Sequence, residues 1–270
     1  MCGRLALFTP PRRVAEAFAA DLEEEVDPAR RPRWNVAPGT SILAVGSAPE
    51  GGRALGLYEW GMAPVGRPGK VSRLINARAE TVASRPTFRG ALRTRRLVIP
   101  VDGFYEWGPG PGGRRGAFYF CAPRQGLVAL AGIWSPAPGP EPSGPDDKGA
   151  PSERGRSERA PGDPAKSGSV APPSPTRGRA CAIVTTAANP DVAAVHDRMP
   201  AILDQAALAI WLDPSQEDPE VLAALIRPAP AGTLEHHLVD PRVGSVRNDD
   251  PGLVTPWPGP PGIPQDSGLS

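Results

Sequence analysis

The sequence predicts one α+β domain in which antiparallel β-structure dominates, wrapped into a barrel-like sheet with helices at its periphery. Seven short runs rich in β-branched and aromatic residues are bounded by Gly or Pro, as strands of a meandering sheet are. Helical periodicity occurs in three places only, and no segment repeats at a fixed period.

In chain order, Pro11–Glu24 reads as a helix, because a proline opens it and Val14, Phe18 and Leu22 recur at spacing four. Ser41–Val45 and Ala54–Trp60 follow as strands. Arg96–Val101 is the next, and it runs into a Pro-x-Asp-Gly turn. Ala117–Cys121, Leu127–Trp134 and Ala180–Thr185 are strands of the same kind. Asp204–Leu212 and Asp218–Ile226 read as helices, each opened by an aspartate able to cap the first turn. Glu235–Val239 is the last strand.

Proline and glycine make 68 of the 270 residues, about a quarter, yet 40% of the chain is hydrophobic. The two tendencies separate along the chain. Ser135–Thr176 holds no aromatic residue and, Val170 apart, no aliphatic side chain larger than alanine. Such a segment cannot bury enough apolar surface to offset the entropy of ordering it. Its flanks, LVALAGIW and RACAIVTT, look like strands, so 135–178 reads as a disordered insert within one domain spanning 2–250. Loop-closure entropy grows slowly enough with length for the fold to tolerate it. The tail 251–270 is again Pro/Gly-rich, with Val254 and Trp257 available to pack on the body.

Charge excludes little: 30 basic residues face 29 acidic ones, for a net +1. Arginine far outnumbers lysine, which occurs only at Lys70, Lys148 and Lys166. A GC-rich genome accounts for that bias, although arginine's forked donors do suit phosphate. No stretch approaches the roughly 20 apolar residues of a membrane span, and the start lacks a leader-like apolar run. A soluble, cytoplasmic protein is expected. Cys2, Cys121 and Cys181 have neither CxxC spacing nor histidines at zinc-finger intervals, so no metal and no disulfide framework is expected. Cys121 and Cys181 lie in apolar runs, as buried inert thiols do.

Four polar islands interrupt the apolar frame. The first is MCGR. Removal of Met1 would expose on Cys2 an amine of pKa about 7.7–8.0 next to a thiol of about 8.5, both partly nucleophilic at neutral pH. An aldehyde meeting them can form an imine that the sulfur closes into a thiazolidine. The bland alternative is a small residue in a frayed terminus. In the second, RLINARAET, Asn76, Arg78 and Glu80 alternate with Ile75, Ala77 and Ala79, so a strand would put all three on one face; a solvated face explains them equally well. The third, RRLVIPVDGFYEWG, sets Glu106 between Tyr105 and Trp107. Apolar company raises a carboxyl pKa toward general-acid values, unless Glu106 points to water. The fourth, TTAANPDVAAVHDRMPAIL, carries His196 after an Asn-Pro-Asp opening suited to one helical turn. Histidine shuttles protons near neutral pH, though a lone histidine is also a common structural residue. The pair His236–His237 lies on a strand and reads as structural.

Together these residues resemble the SRAP (SOS response-associated peptidase) family of abasic-site sensors. The resemblance rests on eight segments in order: MCGR, WNVAPG (Trp34–Gly39), EWGMAP (Glu59–Pro64), NARAET (Asn76–Thr81), IPVDGFYEW (Ile99–Trp107), AGIW (Ala131–Trp134), HDRMPAIL (His196–Leu203) and VRND (Val246–Asp249). It implies a protein that crosslinks covalently, without a cofactor, to the aldehyde of an abasic site in single-stranded DNA, in a lyase-like reaction. Cys2 would then be the nucleophile, Asn76 would orient the terminus and sugar, and Glu106 and His196 would move protons. Gly3, Arg4, Arg78 and Arg198 would hold the DNA backbone, with Trp107 and Pro38 supporting bases. A bacterial protein, nucleoid-associated when on DNA, is implied; a monomer is expected because no exposed apolar stripe stands out. The sequence departs from the family where Val65, Gly66, Arg67 and Pro68 follow Pro64 in place of a frequent base-stacking tryptophan, and the long insert is also unusual. Two other readings remain. An N-terminal-nucleophile peptidase that removes its own Met1 would use the same residues; a noncovalent single-strand binder would leave Cys2 and Glu106 without purpose.

Overall fold

Alternation of side chains along short strands decides most of the architecture. The structure, a computed structural model, describes residues 2–48, 50–64, 73–136 and 178–259. Its first half comprises β1 (Leu5–Leu7), α1 (Pro11–Phe18), β2 (Asp21–Leu22), β3 (Arg33–Val36), β4 (Ser41–Ser47), β5 (Arg53–Trp60), β6 (Asn76–Arg78), α2 (Ala79–Val82), α3 (Pro86–Thr94) and β7 (Arg96–Val101). The second comprises β8 (Gly103–Pro109), β9 (Arg115–Cys121), β10 (Val128–Pro136), β11 (Arg179–Ala187), α4 (Pro190–Ala193), β12 (Arg198–Pro200), α5 (Gln205–Trp211), α6 (Pro219–Leu225) and β13 (Glu235–Val239). None of these helices is long and apolar enough to cross a membrane.

The strands form two sheets. One has the order β13-β9-β8-β1-β3. In the other, β5, β4, β7, β10 and β11 pair in succession, and β11 returns to β5 through Ala180↔Glu59 and Cys181↔Trp60, closing a ring. β2, β6 and β12 attach to that ring. All seven expected strands are present, and Ser135 and Pro136 extend β10 into the start of the expected insert. The rest of the insert, 137–177, lies outside the described residues.

Strand β7 shows how the two cores meet. All six of its residues are buried. Val98 joins Val45, Leu55, Leu57 and Ala131 in a core shared with helix residues such as Phe88 and Trp211. Leu97, Ile99 and Val101 point the other way, into a core with Leu5, Phe104 and Phe120 of the five-stranded sheet. Each such buried aliphatic or aromatic side chain contributes about 1.5–3 kcal/mol relative to exposure.

Three expectations are corrected. The helix expected over Pro11–Glu24 ends at Phe18, where Ala19 adopts a left-handed conformation (φ 48°). The N–H groups of Ala19 and Ala20 close the helix on the carbonyls of Glu16 and Ala15, a Schellman arrangement. Leu22 then continues the apolar spacing from a strand, paired with Leu55. Not all pairing is antiparallel: β2–β5, β6–β11 and β5–β11 run parallel, because chain segments far apart in sequence meet at the ring's seam. Helices α2 and α3 are absent from the expected elements: α2 is a single turn, and α3 spans only nine residues although Phe88, Ala91 and Leu92 recur at helical spacing on its buried face. The capped helices do form, with Asp204 accepting from Ala207 N–H and Asp218 from Glu220 N–H, each at 2.8 Å.

Arg96 ties helices to sheet. It is only 6% exposed. Its guanidinium donates to the carbonyls of Leu92 (3.0 Å) and Arg93 at the end of α3, and of Trp211 (2.6 Å) and Asp213 (2.6 Å) at and beyond the end of α5. A cation there satisfies orphan carbonyls and opposes two helix dipoles. Arg96→Met is expected to destabilise the fold by about 3 kcal/mol, since charged hydrogen bonds contribute roughly 1.5–3 kcal/mol and buried carbonyls are left bare. Arg96→Lys should recover less than half of this, because an ammonium lacks the fork; chemical denaturation measures both.

Candidate active site at the N-terminus

The first residues are held by β8. Leu5 pairs with Phe104 and Ala6 with Gly103, and Tyr105 N–H donates to the Arg4 carbonyl at 2.9 Å. Extending this antiparallel register sets Gly3 and Cys2 beside Glu106 and Trp107. Alternation along β8 sends Tyr105 to the outer core, where its hydroxyl donates to the Trp34 carbonyl at 2.6 Å. Glu106 turns to the opposite face, as Phe104 does. Both faces of β8 are covered, so Glu106 is 3% exposed.

Cys2 is fully buried. Asn76 Nδ2 donates to its carbonyl at 3.0 Å, while Asn76 Oδ1, also buried, has no protein partner among the described residues. Asn76 is placed by the parallel β6–β11 pairing, opposite Ile183. The indole N–H of Trp60 fastens the preceding residue by donating to the Ile75 carbonyl at 3.0 Å.

His196 arrives from the turn after α4, where the N–H groups of Val195 and His196 both donate to the Val192 carbonyl at 2.9 Å. Its Nε2 lies 4.0 Å from Glu106 Oε2. Two groups compete for Nδ1: Arg198 N–H and Asp197 Oδ1, each at 2.9 Å. The backbone donor cannot rotate away, whereas the Asp197 side chain is 87% exposed and can. The neutral ring therefore accepts from Arg198 and keeps its proton on Nε2, toward Glu106; Asp197 suits the imidazolium.

Burial pushes the Glu106 carboxyl above the usual carboxylate range, and positive charge, first of the terminal amine and then of His196, pulls it only partly back. Burial also pushes the Cys2 thiol well up, and the neighbouring Glu106 charge adds to this. The pocket thus favours a protonated acid beside a protonated thiol. Burial likewise pushes up the thiols of Cys121 and Cys181. No group of three His, Cys, Asp or Glu among the described residues could hold a metal.

The arginines differ in what they have free. Arg78 is exposed at the end of β6. Arg4 Nη1 donates to Asn35 Oδ1 and the Val243 carbonyl, both at 2.7 Å, and its guanidinium lies 5.7 Å from the Trp107 ring centroid. Arg198 is clamped by the Glu80 carboxylate through two contacts of 2.5 and 2.9 Å. The expectation that Asn76, Arg78 and Glu80 share a strand face is thereby corrected. The strand ends at Arg78, and Glu80 turns through α2 toward Arg198. Pro38 and Gly3 are half-buried, as is Trp107.

Two residues that hold the site were quoted only within motifs. Asn35 donates from Nδ2 to the carbonyls of Val243 (3.1 Å), Ser245 (3.0 Å) and Asn248 (2.7 Å). Asp249 accepts from Arg33 Nε (2.5 Å) and from the N–H groups of Trp34 (2.6 Å) and Asn35 (3.0 Å). The signal was a buried-type polar residue inside each of WNVAPG and VRND. The histidine pair is structural in form: His236 stacks on Phe120 at 5.0 Å, and His237 Nε2 meets the Val254 carbonyl at 2.9 Å. The tail packs there too, with Leu253 buried and Trp257 N–H donating to the Leu238 carbonyl at 2.8 Å.

A model of the SOS response associated peptidase (SRAP) family matches residues 1–246. The chain is 30% identical over 259 residues to the abasic site processing protein YoqW of Bacillus subtilis, covering 94% of this chain and 99% of that one. It is 29% identical over 261 residues to the abasic site processing protein YedK of Escherichia coli, covering 95% and 100%. Against the abasic site processing protein HMCES of Gallus gallus, identity is 30% over 298 residues, covering 95% and 78%. In fold it is similar to the crystal structure of a Bacteroides thetaiotaomicron protein, with a TM-score of 0.72 at 20% identity over 95% of this chain and 100% of that one.

Because Glu106 is raised above its unfolded value of about 4.3, the folded chain binds more protons than the unfolded one between the two values. Stability therefore falls as pH rises through that window. Glu106→Gln is expected to raise the melting temperature at neutral pH by about 2–4 °C, the effect of ~1 kcal/mol in a domain of this size. The gain should disappear below about pH 4, where the unfolded carboxyl is also protonated; thermal scans at the two pH values measure it.

Proposed function

The chain belongs to the SOS response associated peptidase family, and on that premise we propose that it captures abasic sites in single-stranded DNA as a covalent thiazolidine on Cys2. The observation that carries this is the position of Cys2: held by Asn76 three residues before an interior strand, it is near enough to Glu106 to feel its charge, and Glu106 lies 4.0 Å from His196. The names of the curated relatives, all abasic site processing proteins, support the same reading.

Chemistry starts with removal of Met1, which frees the Cys2 amine. The amine nitrogen adds to the aldehyde carbon of the ring-opened sugar while the carbonyl oxygen takes a proton from Glu106, and the nitrogen returns one of its own protons to the carboxylate. Glu106 passes that proton to the new hydroxyl, which leaves as water and gives a protonated imine. The thiol sulfur then adds to the same carbon, the electron pair of the C=N bond returns to nitrogen, and the thiol proton restores the Glu106 acid. One water is released, a five-membered ring closes, and no cofactor is consumed. A tethered nucleophile gains effective molarity of the order of 10⁵ M or more. His196, with Nε2–H toward Glu106, steadies the carboxylate form between these transfers and, when protonated as the imidazolium beside Asp197, supplies a proton in the reverse reaction.

Arg78, being exposed, takes a backbone phosphate directly. Arg198 does so by exchanging Glu80 for phosphate, whereas Arg4 chiefly supports Trp107. Gly3 and Pro38 flank the strand. Base–aromatic stacking contributes about 1–3 kcal/mol per base, so the absence of an aromatic among Val65–Pro68 weakens DNA affinity and leaves the chemistry intact; those residues lie outside the described ones. The protein acts as a cytoplasmic monomer.

Incubation with single-stranded DNA bearing one abasic site, followed by a denaturing gel, is expected to give a shifted band. Cys2→Ala or intact DNA should abolish it. A denaturant-stable band with Cys2→Ala, or affinity with no such band at all, would remove the covalent reading, and turnover of a peptide substrate alone would favour a peptidase. His196→Ala is expected to slow release of a formed crosslink by roughly 10²–10⁴-fold, the usual contribution of general acid–base catalysis; release at the wild-type rate would strip His196 of its role.

A further inference from the structure

We infer that Gly108 is a positioning residue for His196: the side chain missing at 108 is what allows the Val195–His196 segment to lie against β8 at the level of Glu106. The inference rests on the proton-transfer role proposed for His196. Glu106 and Gly108 are two residues apart on β8 and so share one face. His196 lies over the first of them and Val195 over the second.

The contact at Gly108 is closer than any side chain permits. A Cβ there would lie 2.4 Å from the Val195 carbonyl oxygen and 2.8 Å from both Val195 Cα and Cγ1. Two of these atoms are backbone and cannot rotate aside. The glycine is not required by local conformation, because Gly108 is absent from the positive-φ residues and pairs with Gly116 as an ordinary strand residue. What it supplies is close approach of a second chain segment.

The segment above it is held on its other sides. Val195 is 8% exposed and packs in the core between the sheets. Val195 and His196 both donate to the Val192 carbonyl, Ala188 N–H donates to the Asp197 carbonyl at 3.0 Å, and His196 Nδ1 accepts from Arg198. Val195 therefore cannot retreat without moving His196. Relieving a 2.4 Å contact to an ordinary 3.4 Å one takes a displacement of about 1 Å, and a misplacement of that size can cost on the order of 10²-fold in rate.

The test compares Gly108→Ala, His196→Ala and the double variant in crosslink formation and release on denaturing gels, across the pH range in which histidine titrates. Gly108→Ala is expected to slow release by roughly 10–100-fold and to flatten the histidine limb of the pH profile. In the His196→Ala background it should add nothing. Gly116→Ala, in the same hairpin, meets only the movable Leu238 Cδ1 at under 3 Å, and should stay within about twofold of wild type. Adding Val195→Gly to Gly108→Ala removes the Cγ1 contact and frees the backbone to turn its carbonyl away; this pair should recover both the pH limb and most of the rate, and it serves also if Gly108→Ala alone does not fold. A wild-type profile in Gly108→Ala, an equal further loss in the double variant, or a folded Val195→Gly pair that stays slow would each overturn the inference. Wild-type release by His196→Ala would instead overturn the role of His196 on which it stands.

Discussion

Strand β1 lies between β3 and β8, inside a five-stranded sheet, although it begins only four residues from the end of the chain. Chain ends normally fray unless a sheet or a docked element ties them down. Here the tie is backbone hydrogen bonding on both sides, and its register decides which residue of β8 faces Cys2. Everything proposed about the chemistry depends on that pairing. A nucleophile on a loose terminus would spend most of its time elsewhere, whereas Cys2, the proposed nucleophile, is delivered by the same ladder that builds the core.

Polar residues from both ends of the chain reinforce the placement. Asn35 and Asp249 satisfy a set of backbone groups in β3 and in the segment after Val243, and the same Asn35 accepts from Arg4. The guanidinium is thereby fixed near the Trp107 ring at the edge of the site. Buried networks of this kind are valuable only when nearly every member is satisfied. That explains why two short motifs more than two hundred residues apart belong to one structural unit: each supplies the partners that the other lacks.

The site itself is held in tension. An acid and a thiol, both pushed toward their neutral forms by burial, lie within one pocket beside a histidine whose neutral tautomer points a proton at the acid. Burying ionisable groups costs stability, and proteins accept such costs where a reaction uses them. The proposed reaction uses the tension, since the acid lends its proton and takes it back while the thiol proton is given up and nitrogen and sulfur end uncharged in a ring.

By itself the sequence determined the family resemblance, the seven principal strands and the two aspartate-capped helices, and it proposed Cys2, Asn76, Glu106 and His196 as site residues, which the fold places near one another. All of these are local: a strand follows from a run of β-branched residues, a cap from one side chain two or three residues before the N–H it accepts, a reactive pair from adjacent atoms. Only the tertiary structure decided that Leu22 belongs to a sheet edge and not to α1, that the ring closes through parallel pairs, that Glu80 occupies Arg198, and that Gly108 makes room for Val195. Each of those depends on which distant segment lies alongside. Periodicity cannot report that, because the same alternation of side chains suits any neighbour until the chain has folded and one neighbour is in place.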